Sequence, residues 1–375
     1  MLQLLNRISK RNILIYVILV VLCLGSMLFV FNNARFYGKP IAKVTSSKLL
    51  QMKSEQDSYG NKDKLFTQRL TAVMQNGKDK GRTIILENTY SLAQASDQKY
   101  NPGNELFVII DKKSLGKKIL TGDITNVKRD YYIVIVGWIF ILVLLLVGKR
   151  QGLLSAASLF INGALLAYAI DLNVRTNTNL LLICGVIAVL FTVISLLFSN
   201  GWNEKTFAAI IATLIGTVMS LTITFLIMRL TGEKGMYYEE MQFLTRPYRL
   251  VFFAGLLIGS LGAVMDVAIT MSASIFELFE LNNEISIEAL KRSALEIGRD
   301  IMGTMTSILF FAYISGAIPS LILYLKNANP LGFTLSMNLS LELTRALAGG
   351  IGIVLAIPVG LYTSIFFIKR KKARI

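Results

Sequence analysis

The residues best placed to do chemistry in this chain are acids and amides set inside apolar runs. Asp266 lies near the middle of GAVMDVAITMSAS (262–274). A carboxyl group in hydrocarbon costs about 2.5–3.5 kcal/mol on an insertion scale, so it must be paired, hydrated or protonated. The chemistry on offer is binding of a proton or a cation. The competing account is a neutral acid hydrogen-bonded to a neighbouring helix as structural glue.

Helical spacing puts Asp266 in company. Gly255, Gly259, Gly262, Asp266, Thr270 and Ser274 follow one another at steps of 4, 3, 4, 4 and 4, which places them on one helix face. The opposite face is Leu, Ile, Val, Phe and Met, suited to lipid. The small, polar face is therefore expected to meet protein or a cavity, with close helix packing at Gly255, Gly259 and Gly262. A second stripe combines Asp300, Gly303, Thr304 and Ser307, with Gly303 open to close approach. Weaker stripes run through Thr213, Thr217, Ser220 and Thr224, and through Ser155, Ser158 and Asn162. Any one hydroxyl is more often ordinary packing than function. Four such faces converging on one interior predict a polar path lined by Asp266, Asn162, Thr270, Asp300, Thr304 and Ser307. Asn162 is the expected hydrogen-bond partner of the buried acid. Asp300 follows Arg299 at the start of its run, where a helix cap or a pair with Arg299 explains it equally well.

Other chemistries are excluded by what is missing. There is no histidine, so imidazole acid–base catalysis and Ser-His-Asp triads are absent. Cys23 and Cys184 both lie in apolar runs and read as small hydrophobes, not as a disulfide or metal pair. No nucleotide-binding loop is present. An aspartyl dyad lacks its Gly-x-Gly-Asp motif, and Asp266 and Asp300 are expected near opposite depths of adjacent spans. No metal, cofactor or catalytic residue is assigned, and the chain is not expected to be an enzyme. The net charge of +16 sits beside apolar runs without a nucleic-acid-binding signature, so anionic lipid is the expected counter-charge.

The elements that carry these residues are long apolar segments. Hydrophobic residues make up 54% of the chain and charged residues only 17%, too apolar for a soluble domain. Residues 13–31 follow basic Arg7, Lys10 and Arg11 and read as a retained signal-anchor helix. Seven further runs fall at about 131–148, 152–170, 178–198, 205–229, 250–275, 301–325 and 346–368, each of spanning length. Between the first and second runs, residues 32–130 hold 18 Lys/Arg and 10 Asp/Glu. There RLTAVMQ (69–75), NGKDKG (76–81) and RTIILEN (82–88) read as a hairpin, and ELFVIID (105–111) as another strand. The expected fold is an all-α polytopic membrane bundle of about eight transmembrane helices, with a small β-rich extracytoplasmic barrel or sandwich between helices 1 and 2. Its domains are a cytoplasmic tail and signal anchor (1–31), the β-rich domain (32–130), a seven-helix membrane domain (131–368) and a basic cytoplasmic tail (369–375). Basic residues in short loops, 14 on the side of Arg7 and Arg374 against 7 on the side of Arg246 and Arg345, put both termini inside and residues 32–130 outside. ISIEALKRSALEIGRD (285–300) reads as an amphipathic helix lying on the inner leaflet, the alternative being one that tucks into the cytoplasmic mouth and gates it.

At two of these stretches, GSLGAVMDVAITMSAS (259–274) and IGRDIMGTMTSILFFAYISGAIP (297–319), the chain resembles the YibE/F family of multi-pass bacterial membrane proteins. GKDKGRTIILEN (77–88) and GDITNVKRDYYIVIVGWIFILVLLLVGKRQGLLS (122–155) fit its longer members. The resemblance implies a permease of unsettled role in the bacterial cell membrane, assembled as a hetero-oligomer with a shorter YibE/F-like partner. It carries over no established site residues. The leading expectation is thus a transporter subunit for an unknown small solute or ion, coupled to a proton or cation through Asp266. The alternative is a non-transporting scaffold or sensor whose external domain binds a partner.

Overall fold

The computed structural model describes residues 10–94, 97–114, 117–176, 178–241 and 247–372. Arg7, Arg246 and Arg374, used above for orientation, lie outside them. The chain divides into two compact units, residues 1–143 and 144–375.

The first unit begins with α1 (Lys10–Asn32), followed by β1 (Ile41–Gln56), β2 (Lys62–Met74), β3 (Thr83–Ser91), β4 (Glu105–Ile110) and β5 (Ile119–Val127). Alternation along the strands buries Ala42, Val44, Leu70, Ala72, Met74, Ile84, Leu86, Leu106, Val108 and Leu120 in one core. The expected hairpin is present, with Gly77 and Gly81 at positive φ in its turn. The strands close into a barrel of order β1-β2-β3-β5-β4, in which only the β3–β5 pair is parallel. This is the arrangement of an OB-type barrel and decides between barrel and sandwich.

The barrel is fastened to the helices that flank it. Lys128, only 3% exposed, pairs with Glu105 at 3.0 Å and Asp130 at 3.2 Å and donates to the Val30 carbonyl at 3.0 Å. Asp130 accepts from Asn33 Nδ2 and Tyr37 Oη at 2.8 and 2.9 Å. One buried ammonium thus joins the end of α1, strand β4 and the start of the next helix.

That helix, α2 (Asp130–Thr176), is followed in the second unit by α3 (Leu180–Asn200), α4 (Glu204–Thr231), α5 (Tyr248–Leu281), α6 (Ile287–Lys326) and α7 (Leu331–Lys372). Starts are set by side-chain caps: Asn179, Asn203 and Ser286 accept from the backbone N–H groups of Leu181, Thr206 and Ala289. With α1 these make seven described helices long and apolar enough to cross a membrane. The expected runs 131–148 and 152–170 both fall within α2, which is broken at Lys149 (φ 47°, ψ −121°). The backbone doubles back sharply there, since a Cβ on Gly152 would collide with the Leu144 carbonyl oxygen.

The core of the second unit is the contact of α5 with α4, α6 and α7, built on Val264, Met271, Ile275, Ile353, Ala356 and Leu361. A Cβ on Gly352 would lie 2.6 Å from Val264 and 3.4 Å from Ser220, so α7 approaches its neighbours closely at that glycine. Residues 287–300 are not a separate interfacial helix. They form the first turns of α6, and Leu290 and Ala294 bury in the same core as Phe279, Ile365 and Ile368. The apolar stripe read as lipid-facing finds protein to pack on.

Candidate functional site

The face of α5 that carries Asp266 looks outward. Gly255, Gly262 and Asp266 are exposed, and a Cβ at either glycine would meet nothing within 4 Å. The large apolar face of α5 is the buried one: Val264, Val267, Met271 and Ile275 are all 0% exposed. This reverses the expected orientation. Apolar bulk fills the space between α4, α5 and α7, which leaves the small residues at the surface of the unit. Close packing occurs at one member of the stripe, Gly259, where the Tyr313 hydroxyl lies against the position a Cβ would take. Among the described residues the Asp266 carboxylate has no hydrogen-bond or ion-pair partner, while Thr270 donates to the Asp266 backbone carbonyl at 2.8 Å.

The stripe on α6 also faces out. Asp300, Gly303, Thr304 and Ser307 are exposed, and nothing lies within 4 Å of a Cβ at Gly303. Thr304 and Ser307 donate to the Ile301 and Gly303 carbonyls within their own helix. Asp300 is neither a cap nor an Arg299 partner: Ser286 caps the helix, and Asp300 sits several turns inside it. Counted from the α5–α6 turn, Asp266 and Asp300 lie at nearly equal distances, ~20 Å along each axis, not at opposite depths. The stripe on α4 behaves differently. Thr213, Thr217, Ser220 and Thr224 are at most 5% exposed, and Ser220 donates across to the Ala348 carbonyl of α7. Asn162 donates to Ser195 Oγ at 2.7 Å and Ser158 Oγ at 3.4 Å, joining α2 to α3, and not to an acid. The four stripes therefore do not converge: one is internal helix packing, one links α2 to α3, and two face outward.

Two clefts lie between α6 and α7. One of about 600 Å³ is lined by Thr306, Ser307, Phe310, Phe311, Leu347 and Ile351 and is nearly all apolar. The other, of about 540 Å³, collects polar groups: Tyr313, Ser320, Asn338, Glu342 and Arg345. It is walled by Val251 of α5 and by Met241 of the α4–α5 connection. Arg345 donates to Glu342 one turn away, and its guanidinium carbon stands 5.3 Å from the centre of the Phe252 ring. Their side chains are 19% and 26% exposed. Asn338 is 6% exposed. It donates to the Thr334 carbonyl at 2.9 Å, while its Oδ1 is buried without a partner among the described residues. The connection is held over this region by Tyr237 N–H donating to Ser340 and by Thr344 donating to Met236 sulfur.

Sequence reasoning misses this cleft because Arg345 falls between the apolar runs expected at 301–325 and 346–368 and reads there as a loop charge. The available signal was LELTRALAGG (341–350), with an acid and a base three residues apart ahead of an apolar run.

Among the described residues no group of acids or thiols is placed to hold a metal ion. Comparison with curated proteins and with solved structures gives no match. Two family profiles do match: the YibE/F family N-terminal domain over residues 35–127 and the YibE/F-like protein over residues 136–370. The first covers the barrel and the second covers the segments that carry both outward stripes and the polar cleft, so this chain belongs to the YibE/F-like protein family.

Proposed function

We propose that the chain is one subunit of a bacterial membrane permease for a small solute or ion, working without covalent chemistry. Its seven long apolar helices cross the bilayer eight times, because α2 supplies one crossing on each side of Lys149. Both termini are cytoplasmic and the barrel is extracytoplasmic.

The observation that carries this reading is the unpaired Asp266 carboxylate, set in an outward strip of glycines on a helix whose other faces are packed. An ionisable group against acyl chains is costly, and glycine faces are suited to close helix contact. A second membrane protein therefore covers the strip, and the shorter YibE/F-like type is the partner proposed. Asp266 then takes up a proton or cation at the seam, with Thr270 as the hydroxyl one turn along the same strip.

The test is proton flux in liposomes holding both proteins and a pH-sensitive dye. Asp266→Asn is expected to lower gradient-driven flux at least about tenfold while the two proteins still co-purify. Flux unchanged by the substitution would overturn the proposal. The scaffold or sensor alternative is favoured by the Lys128 anchorage of the barrel. It is the outcome if neither form conducts and Asp266→Asn instead separates the two proteins.

A further inference from the structure

We propose that the 540 Å³ cleft between α6 and α7 binds a small zwitterion, a solute carrying a carboxylate and an ammonium a few bonds apart. The site lies well inside the helical unit, ~10–20 Å from the α6–α7 turn at 1.5 Å per residue. It carries opposite charges in one place, Glu342 and Arg345. Because the pair is self-neutralised, a plain cation or anion entering it gains from one partner and is repelled by the other. A zwitterion matches both.

The hydrogen-bond inventory agrees. Arg345 has five N–H donors and spends one described bond on Glu342. The second Glu342 oxygen makes no bond to a described residue, and neither does the Tyr313 hydroxyl. Among the described residues, Asn338 Oδ1 is a buried acceptor with no donor. Buried polar groups are rarely left unmatched, and each that is calls for an occupant or a reason. Donors therefore remain for a carboxylate at Arg345 and Tyr313, and acceptors for an ammonium at Glu342 and Asn338. The apolar walls, Val251, Leu341 and Met241, leave room for a short aliphatic side chain. The volume falls within the range of small-molecule sites. An ion pair kept only for stability would explain Glu342 and Arg345, but not the orphaned amide oxygen beside them.

The experiment is equilibrium binding to the full chain in lipid nanodiscs, with radiolabelled glycine, L-alanine and L-leucine as probes. Acetate and methylammonium serve as competitors that carry only one of the two charges. Saturable binding of at least one amino acid, displaced by neither competitor at equal concentration, is the expected result. Glu342→Gln and Arg345→Gln should each weaken it at least about tenfold. Should either variant fail to fold, Tyr313→Phe keeps the packing and should weaken binding about threefold. Displacement by acetate as effective as by the amino acid itself would make this an anion site and overturn the proposal. Absence of binding by all three amino acids up to ~10 mM would overturn it as well. Binding does not depend on transport, so failed proton flux with intact binding would remove the permease reading and leave the cleft assigned.

Discussion

Two kinds of glycine line the second unit, and their side-chain space separates them. At Gly352 a Cβ would lie 2.6 Å from Val264. Overpacking of this sort costs about 1–3 kcal/mol, so Gly352→Leu is expected to lower the thermal midpoint of the purified chain. At Gly262 a Cβ meets nothing. Gly262→Leu should leave that midpoint unchanged, within about 0.5 kcal/mol, and should weaken co-purification with a partner. A shift of the isolated chain by Gly262→Leu as large as that by Gly352→Leu would mean that the strip is already covered. Residue type alone made Asp266, Asp300 and Asn162 visible, because each breaks an apolar run. It did not give their orientation. In lipid the hydrophobic difference that sorts inside from outside in water is weak, so both faces of α5 were compatible with an interior. The bulk of Val264, Val267, Met271 and Ile275 decided the matter by packing.

Strands and helices were legible to the degree that their patterns were clean. The hairpin of β2 and β3 announced itself through alternation around a glycine-bearing turn. Strands β1 and β5 did not, because serines, lysines and threonines crowd their solvent sides and each buries few large residues. The first part of α7, Leu331–Arg345, mixes serine, asparagine and glutamate with leucine, and reads as loop until its neighbours supply a packing surface. The cleft was lost with it. The connection of barrel to helices depends on Lys128. Burial alone would lower its pKa, but hydrogen bonds and charge from Glu105 and Asp130 outweigh burial and hold it above the ordinary value of 10.5. A raised lysine pKa contributes stability that is whole below pH 10.5 and is lost as pH rises through the folded-state value. Thermal melts of the first unit's transition should therefore fall off in strong alkali. Lys128→Met leaves Glu105 and Asp130 without their cation and is expected to cost about 3 kcal/mol at neutral pH, while removing that alkaline loss. An alkaline profile identical in the variant would show that another group is responsible.

At the scale of the molecule, the proposed count of eight crossings rests on the break at Lys149. A straight helix of 47 residues would be ~70 Å long, more than twice the ~30 Å hydrocarbon core. The proposed topology instead takes two crossings joined at Lys149, which would return the chain to the proposed inner side. In a chain without native cysteines, Tyr59→Cys in the β1–β2 turn should react with an impermeant maleimide on intact cells. Arg150→Cys and Asn283→Cys should react only after permeabilisation. Labelling of Arg150→Cys from outside would reduce the count to seven and invert everything after α2. The overall order of a first apolar helix, a charged domain and further apolar helices was readable from run lengths and charge alone, because those depend on composition and not on which face packs where.

The forty residues of α6 form one continuous helix that includes Pro319 near its far end. Near one end, Leu290 and Ala294 are seated in the core with Phe279, Ile365 and Ile368. Towards the other, Tyr313 and Ser320 form a wall of the polar cleft. Ahead of Pro319, the turns from Leu290 to Tyr313 make a lever ~35 Å long. A rotation of about 5° about its seated end would carry Tyr313 about 3 Å over that length. The shape of the cleft and the seating of the α6 base are thus geared to one another through those turns.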